Sequence, residues 1–193
     1  ISRGLVGSEM CIRDRHPNLS IEIYSESTHQ IVLKLNDFSL DAGILYFDNG
    51  DPETTVKLYE ERYVFIAPKS LTVSKEKQIT WAEVAQIPLC LLTQNMKNRQ
   101  LIDRHFLELE ISPSIVTEAS DFTAVLAQVA AGNAATIAPV SVAETFLDLK
   151  STKQLDLIRP ILTHSVGLSI KDQSPVLPIC LLYTSDAADD GVG

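Results

Sequence analysis

Three short polar stretches, at residues 25–28, 93–98 and 117–121, each follow an apolar run and precede a segment with helical spacing. Each offers hydroxyl, amide or carboxylate groups beside the unbonded backbone N–H groups of a helix start, which suits a small polar or anionic ligand. In open parallel sheets, ligands bind beyond the carboxyl ends of the strands, where all three stretches would lie. The stretches are therefore candidate binding residues.

Helix capping is a competing explanation for the same side chains. Thr28, Asn98 and Ser120 each stand where a helix is predicted to begin, and residues of these types satisfy the free N–H groups of a first turn. Both interpretations stay open on these residues alone.

Side chains that could carry catalysis are not paired in the sequence. His105 lies on an apolar helix face, which indicates a packed core histidine. Cys90 lies in an apolar run, and nothing in the sequence suggests an adjacent histidine that could activate it. His29 and His164 have no partner at metal-ligand spacing. We predict no catalytic residue, no metal site and no cofactor, and hence no enzyme.

The elements that would position the polar stretches begin with a helix and a strand. Residues 40–47 form a nearly continuous apolar run, which predicts a strand buried on both faces, as in parallel sheets. Residues 28–37 have helical spacing, with Thr28 as the cap. Residues 19–24 alternate between apolar and polar types, which predicts another strand.

The rest of the chain continues the alternation of strands and helices. Further strands are predicted at residues 56–59, 62–67, 88–92, 114–118, 135–138, 155–161 and 166–170. Helices are predicted from a capping box at Thr80 to Gln86, along 101–109, from Ser120 or Asp121 to Gly132, along 140–147, and from Ser174 onwards.

These elements sum to an α/β fold of two alternating lobes. Residues 16–67 and 140–179 are predicted to form the first lobe, and residues 68–139 the second. The chain is expected to cross between them at Ala67 and Pro68, and to return near Pro139.

The two ends of the chain are predicted to be foreign to the natural protein. Residues 9–15 read EMCIRDR and residues 180–185 read CLLYTS, and opposite strands of one DNA sequence can encode both. That DNA resembles the transposon end used to tag fragments for sequencing. Residues 1–15 and 180–193 are therefore set aside as adapter-derived.

Composition disfavours several classes of partner. The chain carries 25 acidic and 16 basic residues, a formal net charge of −9 at pH 7. An acidic chain without a basic stripe binds nucleic acid poorly on its own, and anionic membranes do not attract it. No run approaches the ~20 apolar residues of a membrane span. We expect no membrane partner and, with a single thiol outside the set-aside ends, a cytoplasmic protein.

The ordered series of motifs resembles the effector-binding domain of LysR-type transcriptional regulators. The motifs that carry the resemblance are HPNLSIEIYSEST (16–28), LKLNDFSLDAGILYF (33–47), LYEERYVFIAPKS (58–70), ITWAEVAQIPLCLLT (79–93), RHFLELEIS (104–112), DFTAVLAQVAAGNAATIAPVSVAE (121–144) and GLSIKDQSP (167–175). The resemblance implies a two-lobe, periplasmic-binding-protein-like (type 2) domain that closes on a small anionic or polar effector, with Pro139 at the second hinge.

The resemblance also implies which residues meet the effector. Thr28 matches the hydroxyl residue that reaches the ligand from the first lobe. Thr93, Asn95, Met96 and Asn98 match the facing loop of the second lobe.

Two further polar residues complete the predicted effector-binding set. Ser27 adjoins Thr28, and Glu118 lies in the third polar stretch. In the full-length protein, the resemblance implies a homodimer or homotetramer that contacts DNA only through an N-terminal head.

Several features depart from the family pattern. The helix-turn-helix, the linker helix, and the domain's first strand and following helix are absent, and the hinge motif GNAATIAP lacks a usual glycine. Two other functions therefore stay open: a solute-binding protein of the same fold, which predicts an upstream signal peptide, and an α/β enzyme using the edge at residues 93–98.

Overall fold

The computed structural model describes residues 20–47, 55–71, 77–146 and 150–170. Both predicted adapter-derived ends and the predicted helix start at Ser174 lie outside these residues.

Five helices and eight strands follow one another in the described part of the chain. The helices are α1 Thr28–Asn36, α2 Trp81–Val84, α3 Lys97–Glu108, α4 Phe122–Ala130 and α5 Val140–Phe146. The strands are β1 Ala42–Phe47, β2 Thr55–Pro68, β3 Gln78–Thr80, β4 Leu89–Leu92, β5 Ile115–Ala119, β6 Thr136–Pro139, β7 Thr152–Ile158 and β8 Thr163–Ile170.

The long strand β2 is shared by two portions of sheet. Up to Arg62 it pairs antiparallel with β8, which in turn pairs with β1. From Tyr63 onwards it pairs antiparallel with β6 on one side and β7 on the other. We call these the first and second sheet portions, divided between Arg62 and Tyr63. The sequence predicted two separate strands here, and that prediction was wrong because a break in the apolar pattern does not break the backbone ladder.

The second sheet portion is wider than the first. β3 adds to it by pairing parallel with β7. On the other side, Leu89 of β4 forms a parallel bridge with Ala135, next to β6, and β5 pairs parallel with β4. The strand order from β3 to β5 is therefore β3-β7-β2-β6-β4-β5.

The predicted hinge residues lie at different positions along the length of β2. Pro139 pairs with Tyr63, beside the change of partner in β2. Ala67 and Pro68 pair with Lys153 and Thr152, at the far end of the second sheet portion.

Strand β1 differs from the prediction made for it. It is the end strand of the first sheet portion and pairs antiparallel with β8, rather than lying inside a parallel sheet. Helix α1 packs so close to it that a Cβ atom on Gly43 would lie 2.6 Å from Ile31 Cγ2. An apolar run can arise from a helix on one face and partial burial on the other, so it does not specify strand direction.

The strand predicted at residues 19–24 is not formed by its described residues. Residues 20–24 have no regular secondary structure, and Ile23 is 66% exposed. Alternation predicts a strand only where a neighbouring strand is present to pair with it, and no described strand pairs with this segment.

The second sheet portion is covered on both faces. Tyr63 and Phe65 face a core formed with Trp81 of α2 and Phe106 of α3. The alternate residues of β2, such as Val64, face a core formed with α4 and α5. This alternation places Tyr63 on the same side of the sheet as α3.

Trp81 and His105 are packing residues, and the sequence predicted this for His105. Trp81 is 1% exposed, and its Nε1 donates to the carbonyl oxygen of Pro160 at 2.8 Å. The His105 ring lies 4.6 Å from the Trp81 ring, and burial lowers the pKa of His105.

Candidate functional site

The start of α1 is satisfied by its own side chains. Ser27, rather than Thr28, is the N-cap: its Oγ accepts from the backbone N–H of Gln30, and the Gln30 side chain reaches back to the Ser27 backbone N–H. This capping box satisfies the backbone N–H groups of Ser27 and Gln30. Thr28 is the first helical residue, so its predicted capping role was wrong by one position.

The start of α3 has no such cap. Met96 occupies the N-cap position, and no side chain makes a capping hydrogen bond there. A thioether packed among Cys90, Leu92 and Val125 cannot serve as the acceptor. This twelve-residue helix therefore begins, at the positive end of its dipole, without a side-chain cap at its N-cap residue.

The loop before α3 is held in place by backbone and side-chain bonds. The Thr93 N–H donates to Ala119 O at 3.0 Å, and the Met96 N–H donates to Thr93 O at 3.0 Å. Gln100 Nε2 donates to Gln94 O at 3.1 Å. These bonds fix the loop at the carboxyl ends of β4 and β5.

Asn98 lies inside the first turn of α3 and points towards β2. Its Oδ1 accepts a hydrogen bond from the hydroxyl of Tyr63, which is 1% exposed. Tyr46, at the end of β1, packs against the core cluster that contains Tyr63. Burial raises the pKa of Tyr46 to about 12 and also raises the pKa of Tyr63, so both hydroxyls are neutral near pH 7. Asn98 is therefore a bridging residue and not a helix cap.

Arg99 lies beneath the loop and was missed by the sequence reasoning. Its NH1 donates to Leu92 O at 2.8 Å and to a Glu118 carboxylate oxygen, and its Nε donates to Asp103 at 2.8 Å. Burial opposes its charge, but the hydrogen bonds that Arg99 donates to Glu118 and Asp103 outweigh burial and raise the pKa of Arg99. The Arg-x-x-x-Asp spacing on a predicted helix was the available signal.

Glu61 is a second buried charged group that the sequence reasoning missed. It is 5% exposed and adjoins the change of partner in β2. Ser141 of α5 donates to its carboxylate at 2.9 Å. Burial raises the pKa of Glu61.

The predicted effector residues fall into two groups. Thr93, Asn95, Met96 and Asn98 all lie at or before the start of α3, and Glu118 joins them through Arg99. Ser27 and Thr28 lie at the start of α1. Among the described residues, no hydrogen bond joins one group to the other.

The described elements form a mixed α/β fold of the periplasmic-binding-protein type. One central strand is shared by two sheet portions, and helices cover both faces of the second portion. An uncapped helix start lies at the carboxyl edge of that portion. The LysR substrate binding domain family matches residues 12–181. The chain belongs to this family, which is regulatory rather than enzymatic.

A curated relative shares part of this sequence. The uncharacterized HTH-type transcriptional regulator YybE of Bacillus subtilis (strain 168) is 26% identical over 136 residues, or 70% of this chain. Those residues are 46% of the relative, so the chain spans about half of its length.

Solved structures share the fold at low sequence identity. The effector binding domain of QuiR, in complex with shikimate, is 19% identical with a TM-score of 0.72, covering 88% of this chain and 83% of that one. The CcmR regulatory domain of Synechocystis PCC6803, in complex with 2-PG, is 10% identical with a TM-score of 0.80, covering 92% and 86%. The cofactor-binding domain of the Cbl transcriptional regulator is 19% identical with a TM-score of 0.75, covering 87% and 74%.

None of the helices in the described residues has the length and apolar character needed to span a membrane. Across the same residues, no group of three or more His, Cys, Asp or Glu side chains could hold a metal ion.

Proposed function

We propose that this chain is the effector-sensing module of a LysR-type transcription regulator and acts without catalysis. The observation that carries the proposal is the uncapped start of α3 at the carboxyl edge of the second sheet portion. A helix start without its own acceptor attracts an acceptor from a ligand. Family membership supplies the regulatory context.

The two sheet portions are proposed to be the cores of the two lobes. The lobes would then be connected twice. One connection is at Arg62–Tyr63, where β2 passes from the first sheet portion to the second, and the other is at residues 159–162, between β7 of the second portion and β8 of the first. Pro139 stays beside the first connection, opposite Tyr63. Ala67 and Pro68 would belong to the second lobe rather than to a hinge.

The proposed effector is a small polar or anionic molecule. It would accept hydrogen bonds from the first turn of α3, with Thr93, Asn95 and Met96 shaping one side of the cleft and Asn98 its base. Ser27 and Thr28 would face it from α1.

Glu118 is proposed to hold Arg99 rather than to contact the effector. Its carboxylate is already engaged by the guanidinium. The shikimate and 2-PG of the QuiR and CcmR structures are the natural first probes for this cleft.

The whole regulator is proposed to be a cytoplasmic homodimer or homotetramer that contacts DNA through an N-terminal head. Effector binding must favour one lobe arrangement over another in order to signal. An upstream reading frame encoding a helix-turn-helix supports this proposal, whereas a secretory leader there favours the solute-binding alternative.

The site can be tested with an isosteric change of charge. Asn95→Asp places a carboxylate beside the start of α3, where it should compete with an anionic ligand. We expect calorimetric titration with shikimate, 2-PG and a panel of small carboxylates and phosphate esters to show binding weakened about tenfold, roughly the 1.4 kcal/mol of a good local electrostatic contact.

The matched control is Gln154→Glu, which makes the same charge change on β7, away from α3. Equal weakening by both variants would show that net charge, not the start of α3, governs binding. A panel without any binder would count against the anionic class of effector.

A further inference from the structure

Two side-chain contacts bridge the point in β2 at which the first sheet portion meets the second. On one side, the Ser141 hydroxyl of α5 donates to the carboxylate of Glu61 at 2.9 Å. On the other, the Arg62 guanidinium donates to the carboxylate of Asp156 on β7 at 3.2 Å. α5 follows β6 directly, and β6 and β7 pair with opposite sides of β2, so the two contacts reach to opposite sides of this strand.

Each contact joins a residue of the first portion to an element of the second. Glu61 and Arg62 are the last two residues of β2 that pair with β8. α5 packs on Val64 and Ile66, and Asp156 pairs directly with Val64. Both contacts therefore span the junction by routes separate from the backbone of β2.

The two contacts differ in their access to water. Glu61 is 5% exposed, so water has little access to replace the Ser141 hydroxyl. The Arg62 and Asp156 side chains are 48% and 41% exposed. A hydrogen bond to a charged group is stronger than one between neutral groups, and its loss costs most where the group is buried. Exposed ion pairs contribute little, so the contact between Ser141 and Glu61 is the stronger restraint.

We propose that the hydrogen bond between Ser141 and Glu61, which we call the junction bond, sets the angle between the two sheet portions. The Arg62–Asp156 pair is a weaker restraint on the other side of β2. The junction bond is present in the chain without any ligand, so it does not depend on the proposed effector. A ligand or partner that changes the angle would have to break it.

The angle can be measured by electron paramagnetic resonance between spin labels on the two portions. The label positions are Leu33 of α1, which packs on β1, and Leu107 of α3, which packs on the second portion. Both side chains are more than half exposed. Cys11 and Cys180 are replaced by serine, and the buried Cys90 is kept. This labelled chain is the parent for each comparison of distances.

Ser141→Ala removes the donor of the junction bond. We expect its distance distribution to be broader than that of the parent, with a shifted mean. The matched control is Ser165→Ala, because Ser165 donates to Glu60 at 2.7 Å in a bond of the same kind that lies wholly within the first portion. Parental distances in Ser141→Ala, or an equal change in Ser165→Ala, would overturn the proposal.

Two further variants assign the change in distance to the junction bond. Ser141→Thr keeps a hydroxyl donor and is expected to give the parental distribution. Glu61→Leu removes the acceptor, so Ser141→Ala made in that background should shift the distances no further. A second shift of the same size would show that Ser141 acts by another route.

Salt separates the junction bond from the exposed pair. In about 1 M NaCl the screening length falls to about 3 Å, which weakens an exposed ion pair far more than a buried bond. We expect the parent to keep its distances in this salt, and Asp156→Asn to keep them as well. A shift in either case as large as that of Ser141→Ala would show that the Arg62–Asp156 pair sets the angle.

Hydrogen exchange gives a measure that needs no labels. Losing one hydrogen bond of ordinary net strength should speed exchange of the α5 amides about threefold to tenfold in Ser141→Ala. Ser165→Ala should leave the α5 amides at the rates of the unlabelled natural sequence. Unchanged α5 exchange in Ser141→Ala, or equal acceleration in Ser165→Ala, would contradict the junction bond.

Discussion

Gly43 is the residue at which α1 and β1 come closest. A Cβ atom there would lie 2.6 Å from Ile31 Cγ2 and 3.2 Å from Leu35 Cδ1, which is closer than packed carbon atoms approach. We expect Gly43→Ala to lower the free energy of unfolding by about 1–3 kcal/mol through overpacking. Urea denaturation measures this loss.

The control for Gly43→Ala is a paired change. Ile31→Ala removes the atom that the new methyl group would meet, so the double variant should recover part of the loss caused by the new methyl group. An unchanged effect of Gly43→Ala in the Ile31→Ala background would show that the close approach is not its cause.

Glu61 is expected to make stability depend on pH. Burial raises its folded pKa above the ordinary 4.5, so the neutral form stabilises the fold below that pH and the benefit is lost as pH rises through the folded pKa. The groups around it are Ser141 and Glu144 of α5, Tyr59 of β2 and its cross-strand neighbour His164.

Replacing Glu61 by glutamine removes this titration. We expect Glu61→Gln to unfold at higher urea concentration than the parent at pH 7–8, with the difference shrinking towards pH 4.5. Glu144→Gln, at an exposed position on α5, removes only a smaller cause of the raised pKa of Glu61, so it should change the pH profile less than Glu61→Gln does. A Glu61→Gln chain that is less stable at every pH would show that the carboxylate is needed as an acceptor for Ser141.

At the scale of elements, helix α3 is anchored by Arg99. Arg99→Met removes the donor shared by the Leu92 carbonyl, Asp103 and Glu118. We expect a loss of about 1–3 kcal/mol in the free energy of unfolding, mainly from the buried carbonyl left without a partner, since both carboxylates reach solvent. Chemical denaturation with Arg104→Met as the exposed control tests this, and equal losses would contradict an anchoring role.

Local sequence chemistry specified several helix starts correctly. Of the two caps predicted for α4, Ser120 and Asp121, it is Asp121 that caps it. Thr80 forms the predicted capping box with Glu83, because that signal lies within four residues. Met96 gave no comparable signal, since an apolar N-cap is recognised only from the core that holds its side chain. For the same reason the sequence grouped the polar residues before α3 but not Tyr46 and Tyr63, whose meeting depends on tertiary packing.

At the scale of the whole molecule, the family and the mixed α/β fold followed from the order of motifs, and the pairing of the strands did not. The strands beyond Pro139 were assigned to the first lobe by their position in the chain, whereas β7 pairs with the second half of β2. Strand pairing is a long-range property, and hydrophobic runs do not encode which neighbour a strand selects.

Exposed apolar residues before α1 are expected to limit solubility. Ile21 and Ile23 are 40% and 66% exposed, and Tyr24 is 54% exposed, within one short segment. We expect Ile23→Lys to raise the concentration at which light scattering begins, with little change in the free energy of unfolding. Leu107→Lys replaces an apolar residue on α3 that is 78% exposed, and a larger gain there would place the limiting surface elsewhere.

Strand β2 also constrains how the length of this chain can change. Side chains alternate along a strand, and Tyr63 and Phe65 face one core while Val64 and Ile66 face the other. A residue inserted after Arg62 would exchange these two sets while leaving the pairing with β8 intact. One-residue insertions and deletions inside β2 are therefore expected to destabilise the fold, because the continuous strand fixes which residues face each core.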